Sequence, residues 1–172
     1  GAIQFDSTTY CPGFYRLPGN SHRYRDWKKT GHGAMDIESA IVQSCDVFFY
    51  KLAHDLGVDK LNGYLSHFGF GDQTSIDLIG ESGGLLPSRE WKRRARRQPW
   101  YPGETLIMGI GQGYFLTTPL QLAAATAAIA NDGTFYAPRV VDYLRSRDSG
   151  EINPIPARGQ PIPIDHPEHW DD

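Results

Sequence analysis

Apolar residues return every three or four positions in several stretches of the chain, and in none of its first 35 residues. The first periodic stretch, Ile37-Glu38-Ser39-Ala40-Ile41-Val42-Gln43, predicts a short helix. Asp36 is placed to cap it, Glu38 falls in its positive first turn, and it ends near Ser44. A second helix is predicted from about Asp46 to Leu56, with Phe49, Leu52, Ala53 and Leu56 on one face and Gly57 as its left-handed stop. A third follows, striped by Leu61, Tyr64, Leu65 and Phe68 and weakened by Gly63. Ser88 is placed to cap a basic helix, Arg89 to about Arg97, that Pro99 and Pro102 bring to an end. The clearest helix is 119–131. Thr118 is its N-cap, Pro119 takes the first position, Gln121 completes a capping box, and Asn131-Asp132-Gly133 closes it.

Between these stretches the pattern is lost. Residues 1–35 read as irregular, with turn signals at Pro12-Gly13 and Pro18-Gly19-Asn20. Residues 69–86 read as turns and short extended pieces. Thr134 to Arg145 reads as extended, and Asp148-Ser149-Gly150 as a turn, so 134–150 predicts one short β-hairpin. Residues 151–172 hold five prolines and read as a poorly anchored tail. The fold class expected is mainly α: one helical body over 36–133, an irregular N-terminal segment tied to it, and a short hairpin near the C-terminus.

Composition narrows the picture only a little. A chain of 172 residues can bury a real core, although 40% apolar residues, 19 glycines and 12 prolines predict much irregular structure. A net charge of −3 gives no global bias toward nucleic acid. The longest apolar run, Leu120 to Ala130, is too short to span a membrane. No signal peptide is apparent, and Gly1 reads as a cloning remnant. The run Arg89 to Arg97 reads as a solvated helix face, with docking to an anionic surface such as membrane headgroups as the alternative. Trp27, Trp91 and Trp100 read as packing anchors at the edges of the core, and His54, His67, His166 and His169 as ordinary residues.

Chemistry enters at Ser44-Cys45-Asp46, at the joint between two predicted helices. A serine and an aspartate one residue apart can point into one cleft and handle a proton together. Either could equally cap the helix that follows. No Ser-x-x-Lys occurs anywhere in the chain, so the pair has no activated nucleophile beside it and reads as part of an active site cut from a larger enzyme.

The segment Ser44-Cys45-Asp46-Val47-Phe48-Phe49-Tyr50, followed by Gly57-Val58-Asp59-Lys60-Leu61, resembles the second active-site motif region of the class B penicillin-binding proteins. Four further blocks, in order along the chain, are similar to the elongation-type penicillin-binding protein 2 group: Tyr24-Arg25-Asp26-Trp27-Lys28-Lys29, Gly31-His32-Gly33, Pro87-Ser88-Arg89-Glu90-Trp91-Lys92, and Gly109-Ile110-Gly111-Gln112-Gly113-Tyr114. The likeness runs from about Tyr10 to Pro138. It implies a helical subdomain of the penicillin-binding transpeptidase and β-lactamase-like fold, without most of that fold's central sheet. It also implies that the parent is a serine-type D-Ala-D-Ala transpeptidase of cell-wall elongation, the periplasmic domain of an inner-membrane-anchored bacterial protein. Its partners would be peptidoglycan stem peptides, β-lactams and membrane proteins of the elongation machinery. Ser44 falls on the proton-relay serine of the second motif. Asp46 stands where the family more often has Asn; it keeps an acceptor and loses the amide donors. The 172 residues alone would then be inactive. The literal Lys29-Thr30-Gly31 precedes Ser44, whereas the family's Lys-Thr-Gly follows the second motif on a strand, so it reads as coincidence.

Cys11, Asp26, His32 and Cys45 form a second constellation. All are zinc-ligand types, and four complete a tetrahedron, although their long spacing is unlike a zinc finger. A metal there would tie the irregular segment to the helix joint. Some members of the resembling group carry a structural zinc beside the active site, and the resemblance places its ligands on these four residues. Three other readings stay open: a Cys11–Cys45 disulfide, two plain buried thiols, or His22 standing in for His32 or Asp26. The rival functions are a non-enzymatic zinc-stabilised interaction module and a disulfide-bonded scaffold domain.

Overall fold

The computed structural model describes residues 3–164 together with His166 and Trp170; His169 and Pro167 lie outside the described residues. The first 35 residues are more ordered than the lack of periodicity predicts. Strand β1 (Thr9–Cys11) pairs antiparallel with β4 (Gly33–Met35), and β2 (Phe14–Tyr15) with β3 (Tyr24–Arg25). Strands of two or three residues are too short to show alternation, so only their long-range pairing reveals them. Two glycines let this segment fold back on itself. A Cβ on Gly13 (φ 91°) would collide with the Lys29 carbonyl oxygen, and one on Gly31 (φ 80°) with that of Cys11. Only glycine tolerates both the positive φ and that approach. The turn they permit sets Cys11 beside His32.

Contacts divide the chain into two compact units. Unit 1 comprises Gly1–Asn62 and Pro87–Phe115. It holds β1 to β4, helix α1 (Ile37–Val42), most of α2 (Asp46–Ser66), α3 (Arg89–Arg96) and α4 (Pro102–Gly109). Asp36 caps α1 by accepting from the Ser39 N–H at 2.8 Å, and Ser88 caps α3 by accepting from the Trp91 N–H at 3.0 Å. Helix α2 breaks at Gly57 (φ 76°, ψ 159°), so the second and third expected helices are two arms of one element. Helix α4 departs from expectation. Pro102 does not close α3; it opens α4 at the first position, and Glu104 accepts from the Tyr101 N–H at 2.8 Å. The core gathers Leu17, Met35, Ala40, Val47, Phe48 and Leu106 around Cys11 and Cys45. On α3 the arginines are exposed, as a solvated face requires, but Lys92 is 1% exposed. It pairs with Glu104, and its Nζ sits 4.2 Å from the centre of the Tyr101 ring.

Unit 2 comprises Gly63–Leu86 and Leu116–Asp172. Its main helix, α5 (Pro119–Ala130), carries the predicted capping box, Thr118 with Gln121. Gln121 is fully buried and does more than cap. Its Nε2 donates to the carbonyls of Asp72 (2.7 Å) and Gly83 (2.8 Å), which pins the 69–86 loop to α5. Leaving such a buried carbonyl unpaired costs about 1–3 kcal/mol. The C-terminal pairing differs from one hairpin over 134–150. β6 (Tyr143–Arg145) pairs with β7 (Ile152–Pro154), and β5 (Thr134–Tyr136) with β8 (Gly159–Pro161). The proline-rich stretch therefore supplies two strands, and Ile162 enters the core with Phe68, Ala125 and Ala128. Five helices and eight short strands among the described residues make the chain mixed α and β rather than mainly α. The helices of 36–133 divide between the two units.

Candidate active-site wall and metal centre

Both sequence constellations meet at the joint between α1 and α2, within unit 1. Helix α1 ends at Val42, and the chain turns through Ser44, which has a φ of 53°. A left-handed serine stores backbone strain of about 1–3 kcal/mol, which the surroundings must offset. The turn leaves Ser44 exposed and drives Cys45 into the core. Asp46 then begins α2, half-buried.

Trp27 clamps this turn. Its indole N–H is shared between the carbonyls of Gln43 (3.1 Å) and Ser44 (2.9 Å), and its backbone N–H donates to Asp46 Oδ2 at 3.0 Å. The expected role of core-edge anchor does not hold for Trp27: its side chain is largely in solvent, at 63% exposure. Nothing local announces the clamp, because its acceptors lie 16 to 19 residues away. Asp46 is therefore engaged by Trp27, and its carboxyl is held above the usual range, chiefly by burial. The first turn of α2 is capped by neither Ser44 nor Asp46. Asp26 Oδ2 accepts from the Val47 N–H at 3.2 Å, from 21 residues away.

Asp26 belongs to the second constellation. Cys11, Asp26, His32 and Cys45 each offer one ligand atom, and these atoms lie within 4.8 Å of one another. Cys11 Sγ is 3.5 Å from Asp26 Oδ2 and 3.6 Å from His32 Nδ1, and His32 Nδ1 is 3.4 Å from Asp26 Oδ1. Zinc–sulfur bonds of about 2.3 Å and zinc–nitrogen or zinc–oxygen bonds of about 2.0–2.2 Å set neighbouring tetrahedral ligands about 3.3–3.8 Å apart. The three separations, all among Cys11, Asp26 and His32, lie inside that range, and Cys45 Sγ stands within 4.8 Å of the others, so the donor set fits a tetrahedral metal ion in chemistry and, for these three residues, in spacing. The chemistry of the pocket agrees. Both cysteines are unbridged, and burial pushes the Cys45 thiol up to about 12, with Cys11 and Asp26 adding to it. The His32 and Asp26 side chains are fully buried, and His32 Nε2 has no hydrogen-bond partner among the described residues. Nδ1 is the ring nitrogen that faces Cys11 and Asp26, so it is the atom that would meet an ion. A cation would stabilise the thiolates and the carboxylate together.

The other candidates lie elsewhere. The literal Lys29-Thr30 sits in a turn that the Gly31 N–H closes onto the Lys28 carbonyl, and on no strand. His22 packs edge-on against Tyr24 at 4.7 Å between ring centres and is outside the four-residue cluster. His54 meets the Tyr15 hydroxyl at 3.1 Å. Among the described residues no helix is long and apolar enough to cross a membrane.

Comparison with known proteins bears directly on this arrangement. The penicillin binding protein transpeptidase domain family matches residues 1–169. The chain is 49% identical over 161 residues to the peptidoglycan D,D-transpeptidase MrdA of Acinetobacter baumannii, covering 89% of this chain and 24% of that relative. Its fold superposes on Pseudomonas aeruginosa PBP2, solved in complex with WCK 5153, with a TM-score of 0.87 and 45% identity, covering 99% of this chain and 36% of that one. Helicobacter pylori PBP2, solved in complex with MreC, gives a TM-score of 0.76 and 38% identity over 88% of this chain and 27% of that one. The chain thus spans about a quarter of the length of the curated relatives it matches.

Proposed function

This chain belongs to the penicillin-binding protein transpeptidase family, and on that premise we propose that it forms one wall of the active site of a peptidoglycan D,D-transpeptidase acting in cell-wall elongation. The observation that carries the reading is the left-handed Ser44, exposed on a turn that Trp27 clamps from one side. A transpeptidase opens a D-Ala-D-Ala amide in two acyl transfers. An attacking serine must lose a proton, and the departing amine must gain one. Ser44, with a hydroxyl that both donates and accepts, passes that proton. Asp46, fixed by the Trp27 N–H, holds the turn that aims Ser44. The nucleophile and its lysine lie outside these 172 residues, since no Ser-x-x-Lys is among them.

Cys11, Asp26, His32 and Cys45 would hold a structural zinc. When bound, it would balance two thiolates and a carboxylate in a buried site and tie β1 to the residues that lead into β4 and α2. The residues that meet substrate remain Ser44 and its neighbours. The complex of the H. pylori protein with MreC supports partners in the elongation machinery. A periplasmic position on an inner-membrane anchor is part of the same proposal, because the cross-linked wall lies outside that membrane.

Fluorescent penicillin tests the reading. The intact gene product should take up one label per molecule on a serine outside these residues, and pre-incubation with unlabelled β-lactam should block it. No labelling of an intact, folded, metal-replete protein would favour the rival, a zinc-stabilised interaction module without catalysis.

A further inference from the structure

We propose that Trp27 is the positioning residue of this site, the part that transmits the geometry of the metal cluster to Ser44. The inference rests on the relay reading of Ser44 given above. Trp27 reaches both sides of Cys45 at once. Its indole N–H holds the Gln43 and Ser44 carbonyls at 3.1 and 2.9 Å, and its backbone N–H holds Asp46 at 3.0 Å. The Gln43 carbonyl, at the C-cap of α1, is one that helix geometry leaves without a partner, and the Ser44 carbonyl belongs to the turn just beyond it. On the other side Trp27 is bound to the cluster. It follows Asp26 in the chain, and its ring meets His32 edge-on, 5.4 Å between ring centres. The residue is 63% exposed, so burial alone does not account for a tryptophan here. What the residue supplies is a rigid ring carrying one donor, set where two carbonyls of a strained turn need one. The same ring and turn, with Lys28 and Val42, line an open groove of about 580 Å³, so a shift of the turn changes where the Ser44 hydroxyl meets an acyl donor.

The test uses the intact protein and β-lactam acylation, resolved into the limiting acylation rate and the apparent dissociation constant. Trp27→Phe and Trp27→Ala both remove the indole donor. Each should slow the limiting rate by about tenfold, the scale of one or two lost hydrogen bonds, while the dissociation constant and the bound zinc hold steady. In a Ser44→Ala background neither should slow it further, because a residue that acts through Ser44 has nothing left to position. Four results would overturn the inference: Trp27→Phe at the wild-type rate, a loss that recurs in full in the Ser44→Ala background, a loss that tracks zinc release, or Trp27→Ala far slower than Trp27→Phe, which would make the ring's packing the active part. If Ser44→Ala itself acylates at the wild-type rate, the relay reading fails and this inference with it. If Ser44→Ala is slow and Trp27→Phe is fast, this inference fails alone.

Discussion

Cys45→Ala should empty the metal site and lower the stability of the protein by about 4 kcal/mol, the linkage energy of a metal present at roughly a thousand times its dissociation constant. For a chain of this size that corresponds to a fall in melting temperature of roughly 8–16 °C. The effect should far exceed the loss of a small buried side chain, because Cys45 is one of four ligands whose removal leaves the others in a buried site without a cation. Chelation separates the two contributions. A strong chelator should lower the melting temperature of the wild-type protein by nearly the same amount and leave Cys45→Ala almost unmoved. Equal sensitivity of the two proteins to chelator would show that stability does not come from this cluster. The loss should spread beyond the ligands. Asp26 accepts from the Cys11 thiol, the Lys28 N–H and the Val47 N–H, so freeing its carboxylate also loosens the first turn of α2.

Ser44→Ala should lower acyl transfer by about 10²–10³-fold in the intact protein, within the range usual for a positioned proton-transfer group. Substrate and β-lactam affinity should change little, because the hydroxyl acts on a proton in flight. Folding should also change little, since Ser44 is exposed and alanine bears a similar left-handed penalty. Ser44→Gly is the sharper variant. Glycine adopts a φ of 53° without strain, so stability should rise by up to about 1 kcal/mol while acyl transfer falls as far as in Ser44→Ala. Opposite signs for stability and rate from one substitution would mark Ser44 as a residue kept in strain for its chemistry. A Ser44→Gly protein that keeps its rate, measured by burst kinetics with a chromogenic β-lactam, would show that the hydroxyl carries no proton.

The parts of this fold that local chemistry dictates were open to reading in the sequence. Asp36, Ser88 and the Thr118–Gln121 box each announce a helix start within four residues, and each caps as expected. The parts decided at long range were not. The short strands of the N-terminal segment find partners 9 to 26 residues away, and the proline-rich β8 pairs with β5 across more than twenty. Pro102 carries two meanings, helix breaker and first helical residue, and only the Glu104 bond to the Tyr101 N–H selects the second. The site divides in the same way. Ser44 and Asp46 stand out as a local pair, but the four cluster residues have no telling spacing; family likeness singled them out, and the fold then brought their ligand atoms within reach of one ion. An indole is mostly apolar surface, so the sequence alone suggests an anchor at Trp27. Its single N–H, the smaller part of the side chain, sets its place here.

X-ray absorption at the zinc edge of the purified intact protein tests the central claim most directly. The account predicts one zinc per chain, bound by two sulfurs at about 2.3 Å and two lighter atoms at about 2.0–2.2 Å. A protein without zinc whose Cys11 and Cys45 are joined as a disulfide, or a zinc with no sulfur in its shell, would contradict it.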